Sequence, residues 1–235
     1  MPDVAQRIAD NAARVRAAIA DAASRCGRRP EDITLIAVTK YVGVPEAAAL
    51  LTAGCHDLGE SRPQELWSKA EALAGQPVRW HMIGHLQRNK VRRTLPATAL
   101  LHAGDSLRLL AAVDEWSREA QRITPVLLEV NISGDATKHG FAPEAVEPLL
   151  PELSRFAHLQ IRGLMAMSRW GGSLDEARED FRRVRELRER LAAVCPPQIT
   201  LVELSLGMSS DFTAAIAEGA TLVRIGSALF EGLIA

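Results

Sequence analysis

The chain has 235 residues, a formal net charge of −1, and 47% hydrophobic and 24% charged residues. A length of this order buries about 70% or more of its unfolded surface, so a core needs no covalent staples. The near-neutral balance offers no basic field for nucleic acid or an anionic membrane, and three cysteines without metal-site spacing (Cys26, Cys55, Cys195) read as free thiols in a reducing compartment.

Residues 1–25 alternate alanine with charge at helical spacing and lack the apolar run of a signal peptide. No stretch approaches the roughly 18 apolar residues of a membrane span, so the protein is read as cytoplasmic. From residue 33 onward, short apolar runs alternate with amphipathic segments. The predicted strands are Ile33–Thr39, His56–Gly59, Val78–Gly84, Leu100–Ala103, Pro125–Asn131, Leu159–Met167, Thr200–Leu206 and Leu222–Gly226. Several are too apolar for a wet face, as expected of parallel strands covered on both sides. Predicted helices lie between them. Pro45–Ala53 opens on proline and stops at Gly54, and Arg62–Leu73 ends near Gly75. Ser106 caps Leu107–Gln121, Ser173 caps the charged Leu174–Val194, and Asp211 caps Phe212–Glu218. A short Ser227–Ile234 segment closes the chain.

Eight β/α alternations with no second run of strands predict a single (β/α)₈ TIM-type barrel over residues 1–235, with an extra N-terminal helix on its exterior and no second domain. A doubly wound open sheet is the alternative; no strand is followed by the GxGxxG that would favour it.

In such a barrel the chemistry sits at the C-terminal strand ends. Only four of the 28 basic residues are lysine: Lys40, Lys69, Lys90 and Lys138. A guanidinium cannot replace an amine that must attack a carbonyl. Lys40 follows the apolar ITLIAVT run, where a partly dry cavity would expose its neutral, nucleophilic form; the plainer reading is a lysine reaching out to water at the rim. After the seventh and eighth strands, LGMSSD and RIGSALF place small residues just before helices. Bare amides at helix starts bind phosphate. Ser209, Ser210 and Ser227 would add hydroxyl donors, and Gly226 would admit close backbone approach, although ordinary capping explains the same residues. An amine opposite a phosphate cup fits two ligand classes: pyridoxal 5′-phosphate (PLP), or a sugar phosphate as in lysine-dependent aldolases.

The segments IAVTK, GESRPQE, WHMIGHLQRNK, EVNISGDATKHGF, RGLMAM and LSLGMSSDFTAAIAEGATLVRIGSALF, together and in this order, resemble the pyridoxal phosphate homeostasis protein family. Its fold is similar to the N-terminal barrel of alanine racemase without that enzyme's β-domain. The resemblance implies that Lys40 is the Schiff-base lysine and that Met208 (through its backbone), Ser209, Gly226 and Ser227 hold the phosphate. It also implies that Arg224 lies against the pyridine nitrogen and that Lys138 is a secondary lysine near the mouth. Ser61 stands where the family usually has asparagine, so a ring contact there is lost or bridged by water. Asp135 stands for the family's glutamate.

A permanently charged arginine at the ring nitrogen disfavours its protonation and weakens the ring as an electron sink. A salt bridge from Arg224 to Glu203 is the competing reading. Racemisation also needs a second base, and the only tyrosine, Tyr41, neighbours Lys40; on a strand the two would face opposite ways. These points favour a PLP carrier that serves vitamin B6 homeostasis, a monomer passing PLP to apo-enzymes, over an amino-acid racemase. His81 and His85 flank a strand end and read as structural, with no metal site expected. The charged run 176–190 reads as a solvated helix held by intrahelical ion pairs.

Overall fold

Runs such as Thr124–Val130, buried at all but one position, hide both faces only when strands are covered inside and out. In the computed structural model, which describes residues 4–135, 137–169 and 171–233, this is achieved by a closed barrel of eight parallel strands paired in sequence order, β8 closing on β1. They are β1 Thr34–Val38, β2 Asp57–Glu60, β3 Arg79–Met82, β4 Thr98–Gly104, β5 Thr124–Val130, β6 Leu159–Ala166, β7 Ile199–Ser205 and β8 Leu222–Ile225. Each overlaps its predicted run. Residues 1–3 and 234–235, at the edges of the predicted terminal segments, lie outside the described residues, as do Ala136 and Trp170.

The helices are α1 Val4–Arg25, α2 Val44–Thr52, α3 Pro63–Ala72, α4 Val91–Thr94, α5 Leu107–Glu119, α6 Pro143–Leu153, α7 Leu174–Val194 and α8 Phe212–Ala217. Ser227–Phe230 forms a 3₁₀ turn rather than a longer helix. α1 buries Ile8, Val15 and Ile19 against the barrel's outer shell, as its spacing required. α7 starts on a reciprocal cap in which Ser173 Oγ accepts from Glu176 N at 3.2 Å and Glu176 Oε2 accepts from Ser173 N at 2.8 Å. The α7 ion pairs form as expected, for example Arg182 with Glu179 at 2.5 Å. α6 was not anticipated, because Pro148 and Pro151 inside it remove backbone donors; its buried Val146, Leu150 and Leu153 hold it in place.

Inside the barrel, Ile36, Leu100, Ala103, Leu127, Met165 and Leu222 form a small apolar plug. Gly163 sets the spacing of β6 and β7, since a Cβ there would lie 1.8 Å from the Glu203 carbonyl oxygen. No described helix is long and apolar enough to cross a membrane.

Candidate functional site

Alternation along each strand sends Val38, Glu129 and Arg224 toward the axis near the C-terminal ends. There they line a cavity of 540 Å³, a size suited to a small ligand. Lys40, Ser61, Met208, Ser209, Ser210, Arg224, Gly226 and Ser227, all singled out in the sequence, line this one cavity, and Lys138 joins them.

Two expectations about Lys40 need correction. β1 ends at Val38, so Lys40 and Tyr41 lie in the turn beyond it, and Lys40 is exposed rather than enclosed in a dry interior. For the same reason strand alternation does not separate the pair: Lys40 Nζ lies 4.8 Å from the Tyr41 ring centroid, and both residues line the cavity. The end of β1 is fixed from beneath. Lys69 Nζ donates to the Thr39 carbonyl at 2.8 Å and to Glu60 Oε1 at 2.5 Å, while Thr39 Oγ1 donates to the same Glu60 oxygen at 2.5 Å. Lys69 and Glu60 are buried, and Glu60 Oε2 has no partner among the described residues.

The loops after β7 and β8 meet as expected, but their internal bonding differs from a simple cup. Gly207 has φ +84° and no room for a Cβ, which would come within 2.8 Å of Phe212 Cα; the turn therefore needs glycine. Asp211 does not cap α8. Its carboxylate turns back to accept from Met208 N at 2.6 Å and from Ser168 Oγ at 2.8 Å. The Met208 amide assigned to phosphate is thus engaged by an acidic side chain. Across the gap, Ser209 Oγ accepts from Gly226 N at 3.2 Å and Ala228 N at 3.4 Å. Gly226 is not a tight approach, since a Cβ there would meet Val38 only at 3.4 Å.

Arg224 forms the cavity floor. Nη1 donates to the Ser205 carbonyl and to Ser205 Oγ, both at 2.7 Å, and Nη2 donates to the Ala166 carbonyl at 3.1 Å. Glu203 is not its partner; Glu203 binds Arg162 at 2.8 Å and Thr221 at 2.6 Å. Without a carboxylate in salt-bridge range among the described residues, burial pushes the guanidinium down to about 10, and it stays charged at neutral pH. Beside it, burial together with the nearby Asp105 pushes the Glu129 carboxyl up to about 7.

Sequence reasoning missed Glu129 and the partners of His85. His81 turns into the barrel and is buried, whereas His85 stands at the rim with Nδ1 2.5 Å from Asp105 Oδ2 and its ring stacked on His139 at 4.3 Å between centroids. The two histidines and the aspartate offer ligand atoms within 4.8 Å of one another. Metal-binding imidazoles normally pass their second N–H to an outer acceptor; here the bond of His85 runs to Asp105, itself one of the three, and His139 has no such bond among the described residues. The group is better described as a hydrogen-bonded dyad lining the cavity edge.

Residues 6–233 match the family model described as alanine racemase, N-terminal domain. The chain is 38% identical over 223 residues to a pyridoxal phosphate homeostasis protein of Pseudomonas aeruginosa, covering 95% of this chain and 94% of that one. It is 35% identical over 226 residues to the Escherichia coli K12 protein of the same name, covering 95% of each. Among solved structures it resembles PipY of Synechococcus elongatus PCC7942 with PLP bound, at a TM-score of 0.84 and 32% identity over 95% of this chain and 99% of that one. Alanine racemase of Clostridium difficile 630 shares the fold alone, with a TM-score of 0.68 and 16% identity over 85% of this chain and 51% of the racemase. By sequence, by family model and by fold, the chain belongs to the pyridoxal phosphate homeostasis proteins, built on the alanine racemase N-terminal barrel.

Proposed function

We propose that the protein binds PLP in the 540 Å³ cavity, carries its aldehyde on Lys40, and serves to store and deliver the cofactor to apo-enzymes rather than to turn over amino acids. The observation that carries this is the convergence on one cavity of a primary amine, donors from the β7 and β8 loops, and a buried arginine floor. The residues fit the group chemically. Lys40 Nζ is the nucleophile. Ser209, Ser210 and Ser227, with the amides of Gly226 and Ala228, supply donors suited to a phosphate. Arg224 would meet the ring nitrogen. Bound there, PLP would supply an electron-withdrawing ring; the charged Arg224 beside its nitrogen opposes protonation and weakens that effect. Tyr41, on the rim, presents its ring 4.8 Å from the amine. The reading of this protein as a monomer is part of the same proposal.

Borohydride reduction of the PLP-loaded protein followed by peptide mapping tests the assignment. A pyridoxyl group on Lys40, lost in Lys40→Ala, is the expected result; a label on another lysine requires the site to be redrawn.

A second reading has specific support. Tyr41, Glu129 and His85, the last paired with Asp105, all line the cavity or its edge, so groups able to move a proton share it with the amine. On this reading the protein is a PLP enzyme such as a racemase. Incubation with L-alanine and L-serine decides: D-product at about 1 per second replaces the carrier reading, and its absence supports it.

A further inference from the structure

A line of buried polar side chains descends through the barrel beneath Arg224. Arg224 Nη1 meets Ser205 Oγ at 2.7 Å, Ser205 Oγ meets His102 Nδ1 at 2.9 Å, His102 Nε2 meets His81 Nδ1 at 2.9 Å, and His81 Nε2 meets Asp57 Oδ1 at 3.0 Å. These residues come from β8, β7, β4, β3 and β2 in turn. All five are buried. At the far end, Arg79 clasps the Asp57 carboxylate. Polar groups inside a barrel are costly unless bonded, and here each bonds to the next.

With Asp57 ionised and both imidazoles neutral, the hydrogens have one consistent arrangement. A guanidinium only donates, so the Ser205 oxygen accepts from Arg224 and keeps its own hydrogen for a second partner. A carboxylate only accepts, so His81 Nε2–H donates to Asp57; a neutral imidazole has one acceptor and one donor, so His102 Nε2–H donates to His81 Nδ1 and the Ser205 hydroxyl donates to His102 Nδ1. Burial, reinforced by His81 and Arg224, pushes His102 well below the ordinary histidine range, which keeps it neutral. Burial opposes ionisation of Asp57, but the bonds from His81 and Arg79 outweigh it and hold the carboxyl below its usual range. Every donor therefore points away from the cofactor mouth and ends on a fixed anion.

We propose that Asp57, His81, His102 and Ser205 are positioning residues for Arg224, a chain of single polarity that orients the Ser205 oxygen and so holds the guanidinium beneath the ring nitrogen of bound PLP. The proposal rests on the reading that PLP occupies the cavity with its ring nitrogen toward Arg224.

Two measurements test it. The first is ¹⁵N NMR of the full chain at neutral pH. Both His81 and His102 should be neutral Nε2–H tautomers; an imidazolium or an Nδ1–H tautomer at either ring overturns the chain. The second compares binding of PLP with that of an analogue carrying CH in place of the ring nitrogen. His102→Leu should weaken PLP by about tenfold, as for loss of one charge-assisted hydrogen bond, and leave the analogue's affinity unchanged. His102→Gln, whose amide both accepts and donates, should restore most of the loss. Equal weakening of both ligands, or of neither, overturns the proposal. Arg224→Leu separates the two levels. If it fails to discriminate the ligands, the ring placement is wrong and the chain's role falls with it. If it discriminates and His102→Leu does not, only the chain is wrong. Should His102→Leu not fold, Ser205→Ala removes a single oxygen and carries the same expectation.

Discussion

Replacing Lys69 by methionine should destabilise the protein severely, although Lys69 sits outside the cavity. The ammonium is 3% exposed, its partner Glu60 is 0% exposed, and one Glu60 oxygen already lacks a partner. Methionine keeps most of the volume but leaves a buried carboxylate facing no cation. Breaking a buried pair on one side costs about 3–5 kcal/mol, whereas replacing both partners with apolar groups is often near neutral. For a chain of this size each kcal/mol is worth about 2–4 °C, so the melting temperature should fall by about 6–20 °C. The double variant Lys69→Met, Glu60→Met removes the stranded charge and should recover most of the loss. The remaining deficit, about 1–2 kcal/mol, reflects the Thr39 hydroxyl that loses its acceptor and the Thr39 carbonyl that loses the Lys69 donor. Thermal unfolding of the three proteins by circular dichroism supplies the comparison. A single variant within about 1 kcal/mol of the parent, or a double variant no more stable than the single, would refute the buried-pair argument.

Three further outcomes are expected. Glu129, raised from 4.5 to about 7 by burial and Asp105, favours the fold while protonated; that contribution is full below the unfolded value and is lost as pH rises through about 7. Unfolding scans across that window should therefore show Glu129→Gln gaining on the parent as pH rises, by at most about 3 kcal/mol, and a constant difference would contradict the assignment. Gly163→Ala forces a Cβ to within 1.8 Å of the Glu203 carbonyl and should part β6 from β7 at a cost of about 3 kcal/mol or more, seen as early thermal unfolding. Ser173→Ala removes the α7 cap and should cost about 1 kcal/mol in denaturant unfolding, with PLP affinity unchanged.

The barrel was legible because each strand is its own apolar run, and the order of eight runs leaves few alternatives. What escaped was decided by contacts between runs. The end of β1 at Val38 depends on pairing with β2 and β8, so the exposure of Lys40 and the shared placement of Tyr41 were not readable from ITLIAVTKY. Prolines inside α6 mimic a loop until tertiary burial of Val146 and Leu150 is known. The cavity residues could be named from strand-end positions and from family resemblance, yet Asp211 looked like a helix cap because its true acceptor role involves Ser168, 43 residues away. His102 carries no local signal at all; its partner Ser205 lies 103 residues along the chain.

The Ser209 hydroxyl, accepting from the amides of Gly226 and Ala228, acts as a resident understudy for an anion. On the proposed function, an arriving phosphate would let those donors exchange one oxygen for another instead of escaping an unsatisfied state, and its departure would leave them covered again. Such a seat would soften the difference between loaded and empty protein, as the proposed filling and draining requires.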